Sequence, residues 1–129
     1  MNEPIVAIDT SEVRDGRLDD VKSAIEQLAE FVDANEPRPI AYTAYLDEST
    51  NRLTVLQVHP DSASLEHHMR IAGPTFPGFT QMIRMQTMDL NGEPSEELLG
   101  LLRQKARMLG DIPVAVHRRH AGFIRLRPS

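Results

Sequence analysis

His68 is the side chain that the sequence best places to do chemistry. Within LTVLQVHPDSASLEHHMRIA (residues 53–72) it falls close to one helical face with Ala63, Leu65, Met69 and Ala72, so its imidazole lies on an apolar stripe. A neutral imidazole in such a cleft acts as a general base or hydrogen-bonds a carbonyl; the alternative is a core histidine satisfied by one internal partner. His67 sits about 100° further round the helix and faces solvent. His59 closes the preceding strand beside Pro60, where it either shares a pocket mouth with His68 or is a solvated turn residue. Tyr42 and Tyr45 fall on opposite sides of another strand, so one of them points towards the helices and offers a phenol to a ligand. Phe76 and Phe79, in the GPTFPGF segment after the His68 helix, either close a pocket or complete the core. Met69, with Met82, Met85 and Met88, suits an adaptable apolar cleft as well as an ordinary core. The candidate set is therefore His68 as the catalytic group, with His59, Tyr42, Tyr45, Phe76, Phe79 and Met69 around a substrate.

Other chemistries are absent from the pattern. There is no cysteine, which removes thiol catalysis, disulfides and thiolate metal sites. His117 and His120 stand three apart in a predicted strand and so diverge, adjacent His67 and His68 diverge too, and no HExxH-type spacing occurs; no metal is expected. No nucleophile elbow, phosphate-binding loop or dinucleotide fingerprint is present. Arg84, Arg118, Arg119 and Arg125 could meet an anionic ligand, but a strand or rim charge cluster more often pairs with carboxylates or water. Over 129 residues the net charge is -5, aromatics make up 5% and tryptophan is missing, which argues against a nucleic-acid partner. No apolar run approaches the roughly 20 residues of a membrane span, so no membrane partner is expected. MNEPIVAIDTSEV lacks the basic start and apolar centre of a signal peptide, and a cytoplasmic protein is the expectation.

The elements that would position these residues follow in order. IVAIDTSEV (5–13) reads as a strand, its apolar start suiting a central position. Leu18, Val21, Ile25, Leu28, Ala29 and Val32 keep helical spacing, and Asn35 with Pro37 and Pro39 ends that helix. PIAYTAYL (39–46) and LTVLQVH (53–59) flank the polar DESTN link and read as an antiparallel hairpin. Asp61 and Ser62 offer caps to a helix over 62–72. GPTFPGF interrupts, with a short helical turn possible near 80–83, and IRMQTMDL (83–90) is a fourth strand. Pro94 and Ser95 open a third helix striped by Leu98, Leu101, Leu102 and Leu109 and stopped near Gly110. PVAVHRRHAGFIRL (113–126) predicts a long final strand.

Strand, helix, strand, strand, helix, strand is the ferredoxin-like split β-α-β-β-α-β order of an α+β domain, with both helices on one face of an antiparallel sheet. The chain reads as one domain, 1–129, with a core over about 4–92 and a C-terminal helix–strand extension over about 94–126. Val55, Met88 and Val116 are expected on the opposite face, which then needs a partner subunit to cover it.

This element order, and VHPDSASLEHHM in particular, resembles the antibiotic-biosynthesis-monooxygenase-like family of dimeric α+β barrels, in which a strand feeds a helix bearing Ala/Ser-Leu-x-x-His; Ser64-Leu65-Glu66-His67-His68 fits, with His68 in the last place. The resemblance implies a homodimer with facing sheets and a pocket between sheet and helices in each subunit. It also implies an enzyme working without a cofactor on an apolar or aromatic small molecule. Monooxygenases of the family commonly carry a Trp and an Asn in the pocket. This chain has no Trp, and Asn2, Asn35, Asn51 and Asn91 fall in predicted turns or at the terminus. A non-catalytic small-molecule binder and a dimeric interaction module are the alternatives.

Overall fold

In a computed structural model, which describes residues 3–125, the chain forms β1 (Ile5–Val13), α1 (Leu18–Asn35), β2 (Ala41–Asp47), β3 (Arg52–His59), α2 (Ser62–Ala72), a 3-10 helix (Gly73–Phe79), β4 (Ile83–Asn91), α3 (Glu96–Gly110) and β5 (Ala115–His117). The sheet order is β2-β3-β1-β4-β5. Its first four strands are antiparallel throughout, and β5 joins β4 in parallel. The four-strand part with α1 and α2 is the expected ferredoxin-like arrangement. No helix among the described residues is long and apolar enough to cross a membrane.

Period-two alternation explains the layers. Ile5, Ala7, Asp9, Ser11 and Val13 of β1 are buried beneath the helices. They pair across β3 with His59, Gln57, Val55 and Leu53, and across β4 with Leu90, Met88, Met85 and Ile83. Val21, Leu28 and Val32 of α1, Leu65, Met69 and Ala72 of α2, and Leu98, Leu102, Ala106 and Leu109 of α3 close the core. Ala63 faces solvent instead of joining the α2 stripe.

The outer sheet face differs from expectation. Val55 and Met88 are buried on the helix side, and Val116, the partner of inward-facing Leu90, is 41% exposed at the sheet edge. The outer face instead carries Val6, Ile8, Leu56 and Val58, half-buried and flanked by Thr10, Thr43 and Thr54, with Tyr45 on the same face. Alternation divides a strand into two faces without saying which meets the helices. In β4 a bulge adds a second reason: the register shifts between Thr10 and Ser11, skipping Gln86, so Met85 and Met88 both turn inward.

Local chemistry sets the element ends. Asp61 caps α2 by accepting from the Ser64 N–H at 2.9 Å, and Ser95 caps α3 by accepting from the Leu98 N–H at 3.0 Å. Gly110 is the last residue of α3 rather than its stop, and Asp111 takes the left-handed conformation at φ 52°. Gly110 is glycine because a Cβ there would lie 2.0 Å from the Met85 carbonyl oxygen, so α3 crosses the β4 backbone in contact.

The long final strand is not formed. β5 has three residues, and 118–125 continue without strand pairing; Leu126 lies outside the described residues. β-Branched composition made the segment strand-like, but Arg118, Arg119 and His120 are exposed, and Gly122 takes φ 109°. His117 reaches Asp89 Oδ1 at 2.9 Å and Arg118 pairs with Glu93 at 3.0 Å, while Arg84 lies 3.6 Å from Glu12.

Candidate functional site

A layer of polar side chains runs through the sheet–helix core. His68 is buried on α2, and its Nδ1 lies 3.0 Å from both carboxylate oxygens of Glu36. Glu36 follows the last residue of α1; its backbone N–H closes that helix by donating to Val32 O, and its extended backbone accompanies a side chain that is buried. Burial holds Glu36 up at about 7. Burial, reinforced by the positive charge of Lys105 and by His59 and His67, pushes His68 down to about 3, so the ring is neutral near pH 7. The proton state of Glu36 then selects the tautomer. A protonated Glu36 donates to Nδ1 and leaves Nε2 carrying hydrogen; an ionised Glu36 accepts from Nδ1–H and leaves Nε2 a free lone pair. Nε2 is buried and has no hydrogen-bond partner among the described residues.

His59 is the opposite case. It is fully buried rather than solvated, and both ring nitrogens are engaged: Nε2–H donates to Gln57 Oε1 at 2.9 Å and Nδ1 accepts from the Ser64 hydroxyl at 2.7 Å. Burial lowers it to about 4. The His59 ring therefore braces the strand–helix junction and flanks His68 at 6.1 Å between centroids. Asp61, at the same junction, is held below the usual carboxylate range by its hydrogen bond from Arg38 at 2.5 Å. His67 is exposed, as its helical angle predicts.

Of the two tyrosines, Tyr42 faces the helices, its ring 5.4 Å from that of His68. Burial and the nearby Asp9 and Glu36 carboxylates raise its phenol above its ordinary value. Tyr45 lies on the outer face, 58% exposed, and takes no part in this layer. Phe76 and Phe79 are buried in the core cluster, so the 3-10 helix is a packed turn beside α2 and α3. Met69 is buried on the α2 stripe.

Tyr42, Phe76 and Phe79 also line an inner cavity of about 30 Å³, together with Asp9, Lys105 and Met85. Asp9 comes from the middle of β1 and Lys105 from the buried face of α3, with its ammonium 4.5 Å from the centre of the Phe76 ring. Burial raises the Asp9 carboxyl, and the Lys105 charge opposes that rise. Outside Tyr42, a groove of about 360 Å³ between α1 and β2 is lined by Glu36, Ile40 and Ala41. Tyr42 thus belongs to the cavity, to the groove and to the His68 ring contact. No cluster of three or more potential metal ligands occurs among the described residues.

Glu36, Asp9 and Lys105 escaped the sequence reading. Two of them left a signal. Asp9 interrupts the inward alternation Ile5, Ala7, Asp9, Ser11, Val13, and Lys105 stands at i+3 from Leu102 and i−4 from Leu109 on the apolar stripe of α3. Glu36 left none, because it follows the helix and precedes Pro37.

No protein-family model and no curated protein matches the chain. Solved structures do. MupZ from Pseudomonas fluorescens is 15% identical with a TM-score of 0.74, the alignment covering 96% of each chain. A conserved protein from Methanosarcina mazei Go1 is 22% identical (TM-score 0.58) over 68% of this chain and 88% of its own. A Bacteroides thetaiotaomicron protein assigned to the antibiotic biosynthesis monooxygenases is 22% identical (TM-score 0.54) over 68% of this chain and 85% of its own. The latter two cover about the share taken by residues 4–92, whereas the MupZ alignment extends to nearly the whole chain. With β1-α1-β2-β3-α2-β4 in this order and this sheet, the chain has the α+β fold of the antibiotic-biosynthesis-monooxygenase-like proteins.

Proposed function

We propose that this chain is a small, cofactor-independent enzyme that acts on an apolar or aromatic small molecule, with His68 as its base. The observation that carries the reading is the His68–Glu36 pair: Nδ1 is held by the carboxylate while Nε2 is buried and unpartnered. A buried polar atom without a partner is costly, and such costs persist where a ligand or reaction uses them. Ionised Glu36 orients the ring and supports the charge that develops when Nε2 takes a proton, as a carboxylate does behind a catalytic histidine. In the monooxygenase-like form of this chemistry, the base removes a proton from an activated C–H or O–H. The resulting anion reduces dioxygen, one oxygen atom entering the product and the other leaving as water. A homodimer with facing sheets would cover the outer face around Val6, Ile8, Leu56 and Val58.

The test is oxygen uptake with a panel of phenols and aromatic ketones. Turnover should disappear in His68→Ala with fold and assembly intact, and in the wild type it should rise with pH through about 7 as Glu36 ionises. Turnover retained by His68→Ala would end the assignment. The small size of the inner cavity, about 30 Å³, favours a second reading as a dimeric interaction module; that reading expects no saturable uptake of any panel member.

A further inference from the structure

Asp9 and Lys105 are both at least nine-tenths buried, are both ionisable and line the same cavity, yet no direct ion pair joins them. Two ionisable groups buried in this way are stable when a polar group between them satisfies both. The cavity has about the volume of one such group. Beyond it lies an apolar surface cleft of about 360 Å³ between α1 and the 3-10 helix, lined by Ala24, Phe31 and Met82. Leu28 and Phe79 belong to both spaces, so the cleft adjoins the cavity across these two side chains.

We infer that this pair of spaces is a binding site for an alcohol or phenol with a compact apolar body: the hydroxyl sits between Asp9 and Lys105, and the body lies in the cleft against Leu28, Phe31 and Phe79. A hydroxyl both donates and accepts, so it satisfies the Asp9 carboxyl and the Lys105 ammonium at once. The Phe76 ring holds the Lys105 ammonium in place, which fixes the donor before the ligand arrives. The cleft is of the size that takes one or two rings. This inference goes beyond the proposed function: neither His68 nor Glu36 lines either space, and the binding claim does not depend on the reaction.

The experiment compares 1-naphthol with 1-methylnaphthalene, which replaces the hydroxyl by a methyl group of similar size, by amide chemical-shift titration of the whole chain. 1-Naphthol should saturate with shifts at Leu28 and Phe79, and bind at least about tenfold more tightly than 1-methylnaphthalene, the equivalent of one hydrogen bond to a charged group. Lys105→Met should erase that preference while leaving 1-methylnaphthalene binding unchanged. Phe31→Ala, at an exposed position that keeps the core, should weaken both probes alike. Equal affinity of the wild type for the two probes, no binding of either, or an unchanged preference in Lys105→Met would overturn the site. Hydroxyl-selective binding together with full turnover in His68→Ala would keep the site and remove the proposed reaction.

Discussion

Glu36→Gln tests the electrostatics of the site without any substrate. Burial raises Glu36 from its ordinary 4.5 to about 7. Below pH 4.5 the folded and unfolded chains both hold the proton, and the neutral amide of glutamine differs little from the acid. As pH rises past 4.5 the unfolded chain releases its proton while the folded chain keeps it, so the wild type loses stability until about pH 7. Above that both are ionised and the loss is complete. Each pKa unit corresponds to about 1.4 kcal/mol, so the gap between 4.5 and about 7 amounts to about 3 kcal/mol. His68 and His59 titrate in both proteins and drop out of the difference. Glu36→Gln should therefore match the wild type near pH 4 and exceed it by up to about 3 kcal/mol at pH 8. Urea unfolding followed by far-ultraviolet circular dichroism, at one protein concentration and at several pH values, measures this directly. A variant less stable than the wild type at pH 8, or a gap that does not change with pH, would refute the reasoning. A pH-independent gap would mean that folding leaves the Glu36 carboxyl at its ordinary value, and a less stable variant at pH 8 would mean that the ionised carboxylate is stabilised by its surroundings.

Other perturbations follow from the packing. Gly110→Ala sets a methyl group 2.0 Å from the Met85 carbonyl oxygen and should cost at least about 2 kcal/mol, whereas Gly100→Ala, with nothing within 4 Å of its Cβ, should gain up to about 1 kcal/mol; thermal melts of the two should move in opposite directions. Asp61→Ala removes both the α2 cap and the Arg38 contact and should cost about 1–2 kcal/mol in chemical unfolding. Leu56→Lys, on the outer sheet face, should convert a dimer to a folded monomer in sedimentation velocity, and a wild type that is already monomeric would refute the facing-sheets arrangement.

The sequence by itself determined the order of elements and much of their extent, because each rests on local physics. Helical spacing of Val21, Leu28 and Val32 makes α1, strict alternation from Leu53 to His59 makes β3, and Asp61 next to Pro60 starts α2 where the strand must end. The same periodicity put His68 on a buried stripe and one tyrosine of two towards the helices. Tertiary structure decided what local pattern cannot encode. The face of β3 that meets the helices depends on how the sheet docks, and the inward turn of Met88 depends on a bulge against Thr10 and Ser11 of another strand. Residues 118–125 form no strand pairing, whatever their composition. The polar partners are the clearest case: Glu36 approaches His68 from 32 residues away, and Asp9 and Lys105 meet one cavity from the first strand and the last helix. Periodicity tells which way a side chain points on its own element; only the packing of elements tells what it meets there.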